Sequence, residues 1–349
     1  MKDLENKSLR VGAAAVICAV IFRLLAGGIW EKAVAFMARP ETASFILFLE
    51  TGRVVRPAQL QITTEPSLPP ETVEATAAPT APPETLPQEQ LQAVFSPEEA
   101  QCVEVNSVCG YSVDIQSLLL QDLHWDLSQE APTVLILHTH GSESYTPTED
   151  YTESSQYRTL DTRYNVVSVG AYLGKLLEEG GIRVIHDTTL HDAPSYNDAY
   201  QQSREAARDY LEEYPSLCLI LDIHRDAAED SQGRQVAKTV SAGEKTLAQL
   251  MLVVGTDAGG LIHPNWRENM ALAVKLHTQL EKNFPGICRP ISFRSQRFNQ
   301  DLSPGALIVE IGTAGNTRQE ALLAAEVLAK SILDLSHGSV GAVTAGSTS

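Results

Sequence analysis

The stretch LHTHGSE, residues 137–143, carries two imidazoles and a carboxylate within six positions and directly follows the apolar run TVLI. Imidazole and carboxylate groups are zinc ligands, and a catalytic zinc site typically has three of them and one open position. His140 and Glu143 form an H-x-x-E pair, which two side chains of one strand-to-loop turn can use to reach a single ion. Such short pairs also arise by chance. His224, which ends a second apolar run, LILDIH, is the predicted third ligand.

Two nearby side chains have open assignments. His138 lies two positions before His140 and belongs either to the surroundings of the metal and substrate or to the buried core. Asp161, just before the helical segment YNVVSV, competes with Glu143 as the carboxylate ligand, and we favour Glu143.

Glu310 lies inside the apolar run ALIVEIG, where an unpaired carboxylate is costly. A partner or a function is therefore expected. Near a zinc-bound water, Glu310 would take the proton during attack on a carbonyl and return it to the leaving amine. The alternative is an ion pair with Arg294 or Arg297 from the segment SFRSQRFNQD.

Five more polar side chains are assigned weaker supporting roles. Arg225 and Asp226 follow directly after His224 and are expected to orient the site, because metal ligands usually have hydrogen-bonded partners behind them. The other three are expected to meet the carboxylates of an acidic peptide, the alternative being a solvated surface. These three are Arg294, Arg297 and Asn299.

Strands and helices must position these groups. Apolar runs of strand length, such as TVLILH, LCLILDIH and ALIVEIG, alternate with segments of helical spacing, such as YNVVSVGAYLGKLLEEGG. This alternation predicts an α/β domain with a mostly parallel sheet that helices flank on both faces. Ligands bind beyond the carboxyl ends of strands in such folds, and the polar residues above occur at strand ends.

The N-terminus predicts a membrane anchor. Residues 11–30 form a mostly apolar run near the ~20 residues that cross a bilayer, although Arg23 interrupts it. The basic residues before it favour a cytoplasmic tip, with the rest of the chain outside the membrane. A cleaved signal peptide is the alternative.

The remaining chain divides by composition. A segment rich in Pro, Thr and Glu cannot bury enough apolar area to order itself and is predicted to be an extended linker. We predict the anchor and its tip at 1–32, a short extracytoplasmic segment at 33–64, the linker at 65–101, a catalytic domain at 102–335 and a flexible tail at 336–349.

Charge and cysteine usage limit the partners. The formal net charge is −18 and the pI is near 4.9, which disfavours binding to a nucleic-acid backbone. Outside the membrane, Cys102 and Cys109 could pair in a disulfide, which the sequence leaves open.

Several long motifs occur together, in order, between about residues 103 and 333. They include VLILHTHGSESYTP, LILDIHRDA, LVVGTDAGGLIHPNWRENMALAVKLH and PGALIVEIGTAGNT. Together they resemble the stage II sporulation protein P family, which are membrane-anchored cell-wall hydrolases of endospore-forming bacteria related to zinc N-acetylmuramoyl-L-alanine amidases. The resemblance implies cleavage of the amide between muramic acid and the stem peptide, with a peptide-cleaving activity as well.

The resemblance also assigns residues and partners. His140 and His224 match the amidase zinc histidines, and Glu310 matches the catalytic glutamate. Related amidases have a Glu just before the helix, where this chain has Asp161, so the third ligand stays open between Asp161 and Glu143. The implied function is a peptidoglycan amidase acting outside the cytoplasmic membrane during engulfment, with the stage II sporulation proteins D and M as partners. The alternatives are a zinc peptidase on stem peptides and a non-catalytic wall-binding scaffold.

Overall fold

The computed structural model describes residues 95–123, 125–149, 151 and 156–336, all within a compact unit that runs from Thr85 to Ser349. The predicted anchor, the segment 33–64, most of the linker and almost all of the tail lie outside these residues. A search of the described part of the chain for a helix long and apolar enough to span a bilayer finds none.

A seven-stranded sheet forms the centre of the described domain. Its order is β1-β8-β7-β9-β4-β2-β3, and every neighbouring pair is parallel except β7 and β9. The strands are β1 (Val105–Ser107), β2 (Val134–Leu137), β3 (Val184–His186), β4 (Leu219–Asp226), β7 (Leu250–Val254), β8 (Ile291–Phe293) and β9 (Ala306–Thr313), while β5 (Thr239–Ala242) and β6 (Lys245–Ala248) form a separate hairpin. The mostly parallel sheet is confirmed.

Helices cover both faces of the sheet, as predicted. They are α1 (Ile115–Leu120), α2 (Val166–Glu179), α3 (Ala199–Glu213), α4 (Trp266–Asn283) and α5 (Arg318–Ser336). Side chains alternate across β2, so that Val134 and Ile136 join the large core under α2, α4 and α5. Leu135 and Leu137 face the opposite way, into a smaller core with Ala207 of α3.

The direction of the strands sets where chemistry can occur. β3, β2, β4 and β9 run one way, whereas β7, β8 and β1 run the other way, because β7 is antiparallel to β9. The carboxyl ends of β2, β4 and β9 therefore share one edge. In the register of β4 and β9, His224 pairs with Glu310, and the ladder is irregular just beyond, where Asp226 pairs with Thr313.

The start of β9 lies unusually close to β4. A Cβ atom on Gly305 would lie 1.9 Å from the carbonyl oxygen of Cys218, a backbone atom that cannot turn away. Only glycine fits this approach without moving one of the strands.

The folded domain begins earlier than the predicted boundary at residue 102. A 3-10 helix, Pro97–Cys102, is started by a capping box in which the Ser96 N–H donates to Glu99 at 2.7 Å. Phe95 and Ala100 are buried in the main core, and Lys282 of α4 pairs with Glu99 at 2.7 Å. The proline- and glutamate-rich composition of the predicted linker therefore continues into residues 95–102, which pack against the domain.

The cysteine pairing left open by the sequence does not occur in the structure. Cys102 and Cys109 are both free thiols. The Sγ of Cys102 instead donates to the carbonyl oxygen of Glu99 at 3.0 Å.

Candidate functional site

Three neighbouring strands bring the predicted ligands to one edge of the sheet. His140 follows β2, His224 lies within β4 and Glu310 lies within β9. The rings of His140 and His224 stand perpendicular, with centroids 5.5 Å apart. Glu143, in the loop after β2, places Oε2 at 3.3 Å from Nδ1 of His224. The polar groups at strand ends therefore form one buried cluster.

Glu143 is held by positive groups on two sides. Its Oε2 accepts the backbone N–H of Arg225 at 3.3 Å, and its Oε1 lies 3.5 Å from the Arg225 guanidinium and 3.4 Å from that of Arg158. Burial works against the charged carboxylate, but the His224 hydrogen bond and the Arg225 charge lower the pKa of Glu143 to about 2. Glu143 is thus an anion at any physiological pH.

His224 lies between two carboxylates. Its Nε2 is 2.9 Å from Oδ1 of Asp222, close but poorly aligned for a hydrogen bond, and its Nδ1 faces Glu143. Burial opposes the imidazolium, yet the charges of Asp222 and Glu143 hold the pKa of His224 well above its usual value. Asp222 is itself fixed, because it accepts the backbone N–H and the hydroxyl of Thr139 at 2.8 and 2.6 Å.

His140 is packed among aromatic rings. Its imidazole stacks on Tyr196 with centroids 4.3 Å apart and meets the edge of Tyr200 at 5.6 Å. The guanidinium of Arg158 lies over the other side of the Tyr196 ring, 4.6 Å from its centroid. Burial, helped by the positive charge of His224, lowers the pKa of His140 to about 4, so the ring is neutral.

The donor set suits a zinc ion. Nδ1 of His140 is buried and has no hydrogen-bond partner, which leaves a ligating atom unused. Two imidazoles and a carboxylate are a set that catalytic zinc accepts, and the carboxylate of Asp222 behind His224 is a usual companion of such a ligand. The ligating atoms of His140, Glu143 and His224, however, do not all lie within 4.8 Å of one another. Within the described ranges, the three ligating atoms that all lie within 4.8 Å of one another belong to other residues, His277, Glu281 and Cys288.

Glu310 is the unpaired carboxyl of the cluster. Its Oε2 is buried without a hydrogen-bond partner, and no ion pair of Glu310 occurs among the described residues. Burial raises the pKa of Glu310 to about 8, and the negative charge of Glu143 adds to the effect. The alternative of an ion pair with Arg294 or Arg297 is wrong, because Arg294 is exposed and Arg297 pairs with Asp301 at 3.1 Å.

His138 and Asp161 occupy other places. His138 is fully buried, with Nδ1 at 3.0 Å from the Ile223 carbonyl and Nε2 at 2.9 Å from Nε2 of His186, so both nitrogens are engaged in the core. Burial, with the charge of His186 second, lowers the pKa of His138 to about 3. Asp161 pairs with Arg163 at 2.6 Å on a part-exposed surface. Of the two carboxylates considered as ligands, only Glu143 contacts His224.

The supporting residues divide between loop anchors and surface pairs. Arg225, besides contacting Glu143, donates to the carbonyls of Ser144 and Tyr157 at 3.0 and 2.9 Å and thereby fixes the loop that carries the carboxylate. Asp226 pairs instead with Arg289 at 2.7 Å. Among the described residues, no hydrogen bond or ion pair joins Asp226 or Arg289 to the candidate ligands.

The segment after β8, residues 294–299, acts on the site through Tyr200. Asn299 donates to the Tyr200 carbonyl at 2.7 Å and so holds the turn of α3 that places Tyr200 against His140. Arg297 donates to the Ile262 carbonyl at 3.4 Å in addition to its pair with Asp301. The structure therefore shows neither predicted arginine in contact with the cluster.

Four residues of the site were missed by the sequence reasoning. Asp222 had a signal, since it lies two positions before His224 in a strand and so projects to the same face. Arg158, Tyr196 and Tyr200 lie in a loop and at the start of α3, and no spacing marks them.

Comparisons with known proteins identify the family. The model of the family Stage II sporulation protein P (SpoIIP) matches residues 55–333. Stage II sporulation protein P of Bacillus subtilis (strain 168) is 31% identical over 208 residues, which cover 56% of this chain and 49% of that protein. The match thus spans about half the length of this curated relative.

Solved structures with a distant likeness are also found. The chain is similar to the N-acetylmuramoyl-L-alanine amidase AmiC2 of Nostoc punctiforme, with 14% identity, a TM-score of 0.36 and coverage of 58% of this chain and 96% of that one. It is similar to the CwlD amidase of Clostridioides difficile, solved with the GerS lipoprotein, with 14% identity, a TM-score of 0.37 and coverage of 58% and 94%. From the family match over most of its length, the chain belongs to the stage II sporulation protein P family.

Proposed function

We propose that the chain is a zinc-dependent peptidoglycan hydrolase, an N-acetylmuramoyl-L-alanine amidase that acts during engulfment in sporulating cells. One observation carries the proposal. The buried trio of His140, Glu143 and His224 lies at the same sheet edge as Glu310, a buried carboxyl with an oxygen that has no partner. A ligand set beside a proton acceptor is the arrangement that metal-assisted amide hydrolysis requires.

Each proposed ligand is oriented by its own contacts, and His224, which these contacts keep protonated, would release its proton when the metal binds. His140 is neutral and has an unused Nδ1, Glu143 is an anion oriented by Arg225, and Nδ1 of His224 faces Glu143 while Asp222 lies behind Nε2. These three side chains would hold the zinc. When bound, zinc supplies polarisation of the substrate carbonyl and a more acidic water.

Glu310 is the proposed general base and then general acid of the reaction. Its carboxylate would accept the proton of the attacking water as the new C–O bond forms, and would then deliver it to the amide nitrogen as the C–N bond breaks. Burial moves the pKa of Glu310 upward from the ordinary carboxyl range, the direction that brings a carboxyl closer to the operating pH of a general acid–base group. Its paired position beside His224 keeps the carboxyl adjacent to the ligands.

Local charge would help an acidic enzyme approach an anionic wall. The net charge of −18 repels such a polymer at long range. Arg158 is part-exposed beside the site, and it lies over Tyr196, which is 52% exposed. The guanidinium already pairs with the buried carboxylates of Glu143 and Asp192, at 3.4 and 3.1 Å, so the stack offers a substrate the aromatic face of Tyr196 for sugar rings and a guanidinium that is neutralised in part.

The deciding experiment is mass analysis of fragments that the purified full-length chain releases from peptidoglycan. An amidase frees intact stem peptides and leaves unsubstituted muramic acid. A peptidase cuts within the stem and leaves its first residue on the sugar. Release of neither product, with zinc supplied, would reject hydrolysis in favour of a wall-binding scaffold.

The cellular setting extends the proposal. The apolar residues 11–30 follow Lys2, Lys7 and Arg10, which supports an anchor with the catalytic domain outside the cytoplasmic membrane. Family membership extends the proposal to the sporulation septum. Reporter fusions to the two ends of the chain, assayed for activity on either side of the membrane, test this topology. Association with the stage II sporulation proteins D and M stays a prediction, and co-purification from engulfing cells tests it.

A further inference from the structure

A second group of ligating side chains lies outside the candidate active site. His277 and Glu281 are four residues apart on α4 and so share one face of the helix, and Cys288 follows in the segment that leads to β8. One ligating atom from each lies within 4.8 Å of the other two. None of the three is used by the proposed hydrolysis.

The hydrogen bonding of His277 prepares one nitrogen as a ligand. The side chain is only 3% exposed, and Nε2 lies 3.2 Å from the carbonyl oxygen of Cys102. Because a carbonyl can only accept, Nε2 must carry the proton in this bond. The neutral ring then has its lone pair on Nδ1, which is buried and has no partner. Metal-binding histidines commonly donate their second nitrogen to a backbone carbonyl in this way.

Glu281 and Cys288 are fixed in position by the backbone. The two oxygens of Glu281 accept the N–H groups of Cys288 and Gly286, each at 2.8 Å, so the turn after α4 is held back against the helix. Each carboxylate oxygen keeps a further lone pair. The Sγ of Cys288 lies 3.8 Å from the carbonyl oxygen of His277, which places the thiol over the same helical turn.

We propose that His277, Glu281 and Cys288 bind a zinc ion with a structural role, separate from the catalytic one. Imidazole and thiolate ligands favour zinc over magnesium and calcium, which prefer oxygen. Coordination would require the Cys288 thiolate, with its proton released on binding. Through the bond between His277 and Cys102, the ion would tie the 3-10 helix Pro97–Cys102, α4 and the approach to β8 into one unit.

The two sites differ in one ligand atom that spectroscopy can detect. Sulfur occurs only in the second site, and a thiolate bound to Co²⁺ gives an intense charge-transfer absorption in the near ultraviolet that nitrogen and oxygen ligands do not give. We would load the metal-free full-length chain with Co²⁺ and record this band together with the cobalt content. The proposal expects the band in the wild type. A wild type that binds cobalt without the band, or binds none, overturns it.

Variants assign the band to its residues. Cys288→Ser and, independently, His277→Gln are expected to lose the band, and bound cobalt should fall by about one ion per chain. The matched control is Cys218→Ser, a thiol on β4's approach that lies outside the group, which should keep both signals. Persistence of the band in Cys288→Ser would overturn the assignment, and circular dichroism excludes loss through unfolding.

This outcome is separable from the proposed hydrolysis. His140→Ala should keep the thiolate band while losing activity, because it removes a ligand only from the candidate active site. A wild type that shows the band but releases no wall fragments would support the structural ion and reject the amidase.

Discussion

Two buried glutamates in the site have opposite acid strengths, for reasons visible in their contacts. Glu143 touches His224 and Arg225, and these positive partners lower its pKa to about 2 against the effect of burial. Glu310 has no such contact, so burial raises its pKa to about 8. Pairs of carboxyls separated in this way take different roles, which fits the proposed ones of metal ligand for Glu143 and proton carrier for Glu310.

We expect Glu310→Gln to lower the rate of stem-peptide release by about 10²–10⁴-fold, because an amide cannot take the proton of water. Zinc content should be unchanged, since Glu310 is not among the proposed ligands. The same change at Glu326, which is exposed and accepts a bond from Tyr172, is the matched control and should leave the rate intact. A Glu310→Gln variant with wild-type rate would reject the proton-carrier role.

Asp222→Asn should weaken metal binding by about 10–100-fold, because the carboxylate behind His224 orients the ring and raises its basicity. Competition with a chromophoric chelator measures the affinity. Asp230→Asn, which alters an exposed pair with Arg234, serves as control. If both variants bind zinc as the wild type does, Asp222 is not a partner of a zinc ligand.

At the scale of single residues, the sequence identified the candidate side chains but not the contacts between them. It brought out His140, Glu143, His224 and Glu310, because polar groups after apolar runs are conspicuous. It could not separate His138 from the candidate ligands, since the pairing of that ring with His186 depends on how β2 and β3 align in space.

At the scale of elements, the spacing between β4 and β9 determines how His224 and Glu310 face each other. Gly305 permits the close approach at the start of this pair, well before the site itself. A side chain there would push the strands apart along their shared ladder.

We expect Gly305→Ala to destabilise the domain by about 1–3 kcal/mol or more, because its Cβ would meet a backbone oxygen. The control is Gly174→Ala in α2, where a Cβ would make only ordinary contacts of 3.5 Å with Val184 and 3.6 Å with Ile136. That change should be neutral or stabilise by up to about 1 kcal/mol, since alanine favours helix. Urea unfolding compares them, and equal midpoints would refute the steric argument.

Long apolar runs made most of the elements predictable. β2, β4, β9 and α2 all fall on the apolar runs and the helically spaced segment named above. β8 was missed because Ser292 interrupts its two apolar residues and a polar segment follows directly, and the β5 and β6 hairpin was missed because its side chains are largely exposed. The reversal at β7 could not be predicted, since strand direction is not encoded in the local pattern of a buried strand.

At the scale of the whole molecule, composition misplaced the start of the domain. The segment before residue 102 is rich in glutamate and proline and reads as linker, yet Phe95 is 5% exposed and packs in the main core. The burial of Phe95 and the capping box that begins at Ser96 order this segment despite its linker-like composition.

A chain of residues 103–336 should therefore be less stable than one of residues 90–336, by about 2 kcal/mol from the lost burial of Phe95 alone. Urea unfolding of the two chains measures the difference. Phe95→Ala in the longer chain should account for most of it. Equal stabilities would show that residues 95–102 add nothing to the fold.

Because β7 runs opposite to β9, the loop that follows β7 lies at the other end of these strands from the candidate site and can carry a label. The loop that leaves β7 emerges at the amino ends of β4 and β9, whereas the candidate ligands lie toward their carboxyl ends. Leu261 and Ile262 on this loop are 52% and 81% exposed. A fluorophore or a surface tether attached at Ile262 would lie at the other end of these strands from the cluster of His140, Glu143 and His224, so the proposed activity on a wall fragment could be followed on single immobilised molecules.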